Sequence, residues 1–319
     1  MSVYLQDLTL RLAAGVQQLP AESRERHRQY LQRAQRPDGG FAGRMGDSDL
    51  YYTSFALRAL ALVDGLDDDL VRRANGFLQQ QVHSRQSIVD FFSLIYSAAL
   101  LQVLTGVDVF ESVAAGWDRN VAGFLNSLRR EDGGFAKAEE GHAGSTYHTF
   151  LVLLVLQLIG EPVTEPDRIV DFLLGQKADD GGFREIRAAR RGGTNPTAAA
   201  IATLKILDRL EESTIDHTME FLIDMQTDEG GLRANTRIPI ADSLSTFTGM
   251  LTVDDLGEMH ELELDPLRGF VDSLQLPEGG FRAAAWDDAH DVEYTFYGLG
   301  CLALLENYQR ATSQPSGIS

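Results

Sequence analysis

Arg36-Pro37-Asp38-Gly39-Gly40-Phe41 is a phrase that this chain repeats. It returns as Gly133-Gly134-Phe135, Gly181-Gly182-Phe183, Gly230-Gly231-Leu232 and Gly279-Gly280-Phe281. An acidic residue precedes the first glycine each time: Asp38, Asp132, Asp180, Glu229 and Glu278. The last three intervals are 48, 49 and 49 residues, and the first is 94, close to two periods. Self-similarity at such a period marks an array of supersecondary units, each burying its apolar face against the next.

Each unit carries two helical stretches around the turn. Residues 166–176 typify the first: Ile169, Val170, Phe172, Leu173 and Leu174 are apolar, while Asp167, Arg168 and Asp171 are polar. One wet side and one apolar side suit an outer helix. The Asp-Gly-Gly phrase is read as the stop of that helix, because glycine enters left-handed conformations cheaply. A polar loop follows, then a second helix with its own register: Tyr52-Thr53, His148-Thr149, Pro196-Thr197, Ser245-Thr246 and Tyr294-Thr295. Downstream, runs such as 198–204 and 297–302 are apolar nearly all round, as in a buried inner helix.

The long first interval hides a sixth unit. Residues 70–81 read as outer helix and 88–104 as inner, with Ser93 in the threonine position and the glycines lost from His83-Ser84-Arg85-Gln86. Asp67-Asp68-Asp69 reads as a helix cap. Six hairpins then lie near 21–63, 67–104, 113–160, 165–209, 213–256 and 262–307. The last inner helix is as apolar as the middle ones, so no polar cap ends the array. Closure into a ring resolves this. The expected fold is an all-α α6/α6 toroid without a sheet, with the loops after each Gly-Gly-aromatic at one rim of a central cavity. An N-terminal helix within residues 1–20 packs on the toroid of residues 21–307, and residues 308–319 form a flexible tail.

A net charge of −19 opposes binding to nucleic acid or anionic membranes through a general basic surface. The most apolar run, 149–160, is too short to span a bilayer, so no transmembrane segment is expected. Cys301 is the single cysteine, which fits a reducing compartment, and it lies in an apolar run as core. The N-terminus shows no basic start with a long apolar stretch, and a cytoplasmic location is expected.

Residues 38–60 resemble the repeat of the superfamily shared by protein prenyltransferase β subunits and class II terpene cyclases. The matching parts are Asp38-Gly39-Gly40-Phe41-Ala42-Gly43-Arg44, Asp49-Leu50-Tyr51-Tyr52-Thr53 and Ala56-Leu57. The resemblance covers about residues 21–307 and is nearest to the β subunits of type II geranylgeranyltransferases. It implies a cavity for an isoprenoid diphosphate or another apolar small molecule. It also implies a helical-repeat α-subunit-like partner, and magnesium accompanying a diphosphate.

Glu140-Gly141-His142-Ala143-Gly144 looks like the prenyltransferase segment whose histidine helps hold the diphosphate. Arg190 and Arg191 occupy the comparable loop of the next repeat, and Arg44, Arg233 and Arg237 are further rim cations. Prenyltransferases bind zinc through an Asp-x-Cys and a histidine. Here Asp242 is kept, Leu244 stands for the cysteine and Tyr294 for the histidine. His290 or Glu293 beside Asp291 leaves a rebuilt metal site open. The cyclase relatives instead start from a buried acid, and Glu293 in Asp291-Val292-Glu293-Tyr294-Thr295 takes the donor's place. Aromatics at the inner-helix starts, among them Tyr52, Tyr147 and Tyr294, either line the cavity or pack between the layers.

Three functions stay open. One is prenyl transfer, resting on His142, Arg190, Arg191, Arg44 and Arg237. Another is acid-initiated cyclisation with Glu293 as the proton donor; across these readings Glu293, Asp291 and Asp242 are the candidate catalytic carboxylates. The last is a toroid that binds without chemistry.

Overall fold

The computed structural model describes residues 4–82 and 87–313. Helix α1 (Tyr4–Val16) precedes six helical pairs. They are α2 (Ala21–Arg33) with α3 (Leu50–Leu62), α4 (Asp68–Gln81) with α5 (Ile88–Thr105), and α6 (Trp117–Ser127) with α7 (Thr146–Ile159). Then come α8 (Pro166–Leu174) with α9 (Thr194–Ile206), α10 (Glu212–Met225) with α11 (Ser243–Leu256), and α12 (Leu264–Ser273) with α13 (Val292–Ser313). The odd-numbered helices from α3 to α13 pack in order, and α13 returns to α3, closing an inner ring. Every inner helix starts at a rim loop, so all six run in the same direction and the rim gathers on one end.

The repeated phrase is a tight hairpin turn and not the helix stop. Helix α2 ends at Arg33, before the phrase begins. Gly39 N then donates to Arg36 O at 2.9 Å and Arg36 N to Gly40 O at 3.0 Å, and the four other copies repeat both bonds. The first glycine has φ of +90° in Gly39 and +94° in Gly133, the left-handed residue that such a three-residue loop needs. The preceding acid fastens the turn to the far end of the rim loop. Asp132 accepts from Gly134 N at 3.1 Å and from Gly144 N at 2.9 Å.

The threonine register has an equally local cause. Thr53 Oγ1 accepts from Phe41 N at 3.0 Å, Thr149 from Phe135 N at 3.0 Å, Thr197 from Phe183 N at 2.8 Å and Thr246 from Leu232 N at 3.0 Å. Each bond satisfies the buried amide of the turn's aromatic or leucine. These threonines lie four residues after the helix cap, since Asp49, Ser145 and Asp242 are the caps. In α5 the cap is Ser87, so Phe91 holds the equivalent position and Ser93 does not. The eroded turn at 83–86 lies outside the described residues.

The outer layer closes by the same turns. A Cβ on Gly39 would sit 2.1 Å from Arg73 O of α4, and one on Gly279 would sit 2.4 Å from Arg26 O of α2. Each turn therefore seats on the next outer helix, and the last seats on the first.

Three features depart from the sequence reading. Strands β1 (Phe281–Ala284) and β2 (Asp287–Asp291) pair antiparallel in the last rim loop, a small sheet in an otherwise helical molecule. Helix α13 runs on to Ser313, where a tail was expected from 308. Helix α5 is long and apolar enough to cross a membrane, yet it is an inner helix packed between α3 and α7. Asp67 caps α4 through Leu70 N at 2.9 Å, and Cys301 is buried, both as read.

Helix α1 lies across the base of the ring against α13 and α3. Tyr4 Oη donates to Asp255 at 2.7 Å, and Arg11 pairs with Asp254 at 2.8 Å and Asp255 at 2.9 Å. On another side, Thr9 and Tyr96 share a 2.7 Å hydrogen bond.

Candidate functional site

The inner ring encloses a cavity of about 510 Å³. Tyr4, Leu5 and Leu8 of α1 form its floor, while Phe55, Phe92, Phe150 and Phe247 line its wall. Small residues Ala198, Ala199 and Ala202 on α9 keep the space open. A concave apolar chamber with a few polar groups is the usual form of a small-molecule site.

The polar groups fall into two sets. The first surrounds Glu293 in the opening turn of α13. Tyr51 Oη donates to Glu293 Oε1 at 2.6 Å, and Tyr297 Oη donates to the same oxygen at 3.0 Å. Tyr51 and Tyr297 form the cavity wall, and Glu293 sits immediately behind them. Burial pushes the Glu293 carboxyl above its usual range, the two phenol bonds pull it back, and Asp291 pushes it up again. Burial and the neighbouring Glu293 also hold both phenols well above their ordinary pKa.

The second set is Arg58, Tyr147 and Glu185. Arg58 is the single charge in the thirteen residues of α3. Its guanidinium lies 4.7 Å from the Phe55 ring centre, 5.1 Å from Tyr96 and 3.9 Å from Phe296. Tyr147 is 39% exposed, and the exposed surface is cavity wall, so burial still pushes its phenol up to about 12. Glu185 comes from a rim loop, accepts from Ser145 Oγ and, at 3.3 Å, from Tyr147 N, and has its carboxyl raised by burial.

The other sequence candidates take different places. Asp242 caps α11, accepting from Ser245 N at 2.7 Å and from Ser245 Oγ at 2.8 Å. Asp291 caps α13 through Glu293 N at 3.0 Å and Tyr294 N at 3.1 Å, and so fixes the turn that carries Glu293. Neither carboxylate borders the cavity. Tyr294 accepts from Arg44, whose guanidinium also lies 3.6 Å from Asp287. Tyr52 packs beside Tyr51 off the wall, its phenol pushed up to about 12 by burial. His142, Arg190, Arg191 and Arg237 are exposed on rim loops outside the wall, and Arg191 donates to Thr236 at 2.8 Å.

The residues around Asp242 do not fit a zinc ion. Both its oxygens serve the cap, Leu244 turns into the cavity and Tyr294 is engaged by Arg44. Among the described residues, three donors converge at Glu258, His260 and Glu261, on an exposed turn beyond the base of α11.

Arg58 and Glu185 were not singled out from the sequence. The signal for Arg58 was present: a lone charge inside a helix that is otherwise apolar all round. For Glu185 no sequence signal separates it from other rim carboxylates.

The chain matches the model of the prenyltransferase alpha-alpha toroid domain over residues 7–165 and 149–316. Among curated proteins, no sequence relative matches. Among solved structures, the fold is similar to protein geranylgeranyltransferase-I of Candida albicans complexed with GGPP, with a TM-score of 0.72 and 16% identity over 90% of this chain and 92% of that one. It is also similar to a variant type II terpene cyclase of Scytonema in complex with geranylgeranyl dihydroxybenzoate, with a TM-score of 0.64 and 13% identity over 95% and 99%. A possible member of the GH105 family from Salmonella enterica shares the fold at a TM-score of 0.59 and 14% identity over 92% and 95%. Two tandem matches that together span nearly the whole toroid place the chain in one family: it belongs to the prenyltransferase alpha-alpha toroid family.

Proposed function

We propose that the cavity holds an isoprenoid chain and that Glu293 protonates one of its double bonds. The observation that carries this reading is the bond from Tyr51 to Glu293 at the wall of an aromatic-lined chamber. Burial raises the Glu293 carboxyl, which favours its protonated, proton-donating form. Its proton adds to one alkene carbon, forming a C–H bond and leaving a cation on the other carbon. The Glu293 carboxylate that remains keeps its bonds from Tyr51 and Tyr297. Ring faces of Phe55 and Phe247 stand where the cation can be stabilised. Attack by a second alkene and return of a proton to Glu293 make the net reaction an isomerisation. The ligands named for the two structural relatives carry geranylgeranyl groups, which supports an isoprenoid as cargo.

A second reading is prenyl transfer from a diphosphate, favoured by exposed Arg190, Arg191, Arg237 and His142 on the rim loops. In that reading the rim cations, with magnesium, hold the diphosphate, and an α-subunit-like partner brings the acceptor. Both readings suit a cytoplasmic protein whose lone cysteine is buried.

The test is incubation with geranylgeraniol and with geranylgeranyl diphosphate, followed by mass analysis of products. Acid chemistry yields an isomer of unchanged mass that Glu293→Gln abolishes. Products that have lost diphosphate, formed equally by Glu293→Gln, overturn it in favour of transfer.

A further inference from the structure

Arg58 stands in the cavity wall without an anion. No carboxylate pairs with it and it makes no hydrogen bond among the described residues, and its Nε is buried without a partner. It is also the single lysine or arginine among the residues that line the chamber. A guanidinium carries five N–H donors radiating in one plane. Rings from α3, α5 and α13 surround it at 3.9–5.1 Å, which favours the cation through its faces but supplies no acceptor for its edge. Removing the Nε–H from water without an acceptor opposes folding. The arrangement is therefore complete only when something with oxygen acceptors enters.

We infer that Arg58 is the seat of a carboxylate on the cavity's apolar ligand. A planar carboxylate matches the guanidinium edge bidentately. One fixed positive charge suits one negative charge, whereas a diphosphate needs several cations, and the other arginines of the rim lie off the wall. Tyr147 stands ready as a second donor: its phenol lines the chamber, makes no hydrogen bond among the described residues and feels the Arg58 charge. Arg58 lies seven residues along α3 from Tyr51, a rise of roughly 10 Å. The seat and the Glu293 acid are thus set apart, so a ligand anchored by its acid group presents more distant carbons to Glu293. This inference deepens the isoprenoid reading by naming the substrate class as an acidic prenyl lipid, and it rests on that reading for the prenyl part alone.

The experiment is titration calorimetry at neutral pH with four probes: a C20 prenyl carboxylic acid, its methyl ester, the corresponding alcohol, and a saturated fatty acid of similar length. The wild type is expected to bind the prenyl acid at least tenfold more tightly than its ester or alcohol. Arg58→Met is expected to erase that preference while keeping ester and alcohol affinity, and Arg58→Lys to retain part of it. Equal affinity for acid and ester in the wild type overturns the seat, a comparison that needs no variant to fold. Alcohol and ester binding without acid preference sinks the seat and leaves the isoprenoid reading standing. Saturated-acid binding that depends on Arg58, with no prenyl binding, supports the seat and sinks the isoprenoid reading. No binding by either acid overturns the seat.

Discussion

The Tyr51 hydroxyl donates to Glu293 Oε1 at 2.6 Å, across 242 residues of sequence. Tyr51 belongs to the first inner helix and Glu293 to the last. The candidate acid is thus assembled at the seam where the ring closes, and it exists only in the closed ring.

That bond sets a pH prediction. The phenol lowers the Glu293 carboxyl against the larger upward effect of burial. In Tyr51→Phe the carboxyl rises further, so it stays protonated to higher pH. The falling limb of a pH–rate profile for the isomerisation is expected to move to higher pH, with the limb still present. Glu293→Gln is expected to lose about a hundredfold or more of the rate, the usual scale of a general acid.

The buried carboxyls contribute a share of stability that should fall with rising pH above the ordinary carboxyl range. Glu185, Asp242, Asp254, Asp291 and Glu293 are all raised in the folded state, burial being the first cause for each. At these five groups the folded chain therefore binds more protons than the unfolded chain between the ordinary carboxyl pKa of about 4 and the raised values, and their contribution to the unfolding free energy declines across that window. Burial holds His27 and His148 down at about 4, and below pH 6.5 they act in the opposite sense. The carboxyl share is therefore read as a difference: Tm at pH 5.5 minus Tm at pH 8 is expected to be smaller in Asp242→Asn than in the wild type. An equal or larger difference in the variant would sink the prediction.

Thr149→Val removes the acceptor for the buried Phe135 amide with little change of shape. A loss of about 1–3 kcal/mol is expected in urea unfolding, the cost of an orphaned buried donor. Thr312→Val near the end of α13 serves as the exposed control and should stay within about 0.5 kcal/mol.

Two glycines of positive φ separate strain from space. Gly160 ends α7 at φ +73° with nothing near a would-be Cβ, so Gly160→Ala should cost about 1–2 kcal/mol. Gly133 has φ +94° and its Cβ would sit 2.2 Å from Arg168 O of α8. Gly133→Ala forces the turn off the next outer helix, and a loss of more than about 3 kcal/mol, or failure to fold, is expected. Equal losses in the two variants would show that the turn does not set the spacing of the outer layer.

The architecture was legible because each unit repeats the same local chemistry. The turn glycine, its acid and the threonine are joined by short-range hydrogen bonds, so their spacing survives in sequence. Asp242 and Asp291 were misread for the same reason, since a capping carboxylate and a catalytic one look alike before the helix start is fixed. Ser93 was misread because the eroded turn removed the ruler that sets the register of α5. Arg58 and Glu185 escaped for another reason. They come from separate elements, and only the curvature of the ring brings them to one wall. The sequence marks rim loops by their cations, but the wall is chosen by which side of each inner helix faces the centre.

The seating of Gly279 on Arg26 of α2 makes the last joint equivalent to the other joints that carry the Gly-Gly turn. A circle of like joints has no privileged first unit, so the place where the chain begins is a matter of connection and not of support. With α1 lying along α13, the first and last described helices are already neighbours. A permuted gene, cut in the loop after α7 and joined through the old termini by a flexible linker, would recreate every interface in a new order. An open-ended array shortened by one unit keeps its remaining joints, whereas this circle loses its closure, and with it the chamber, when any single unit is taken out.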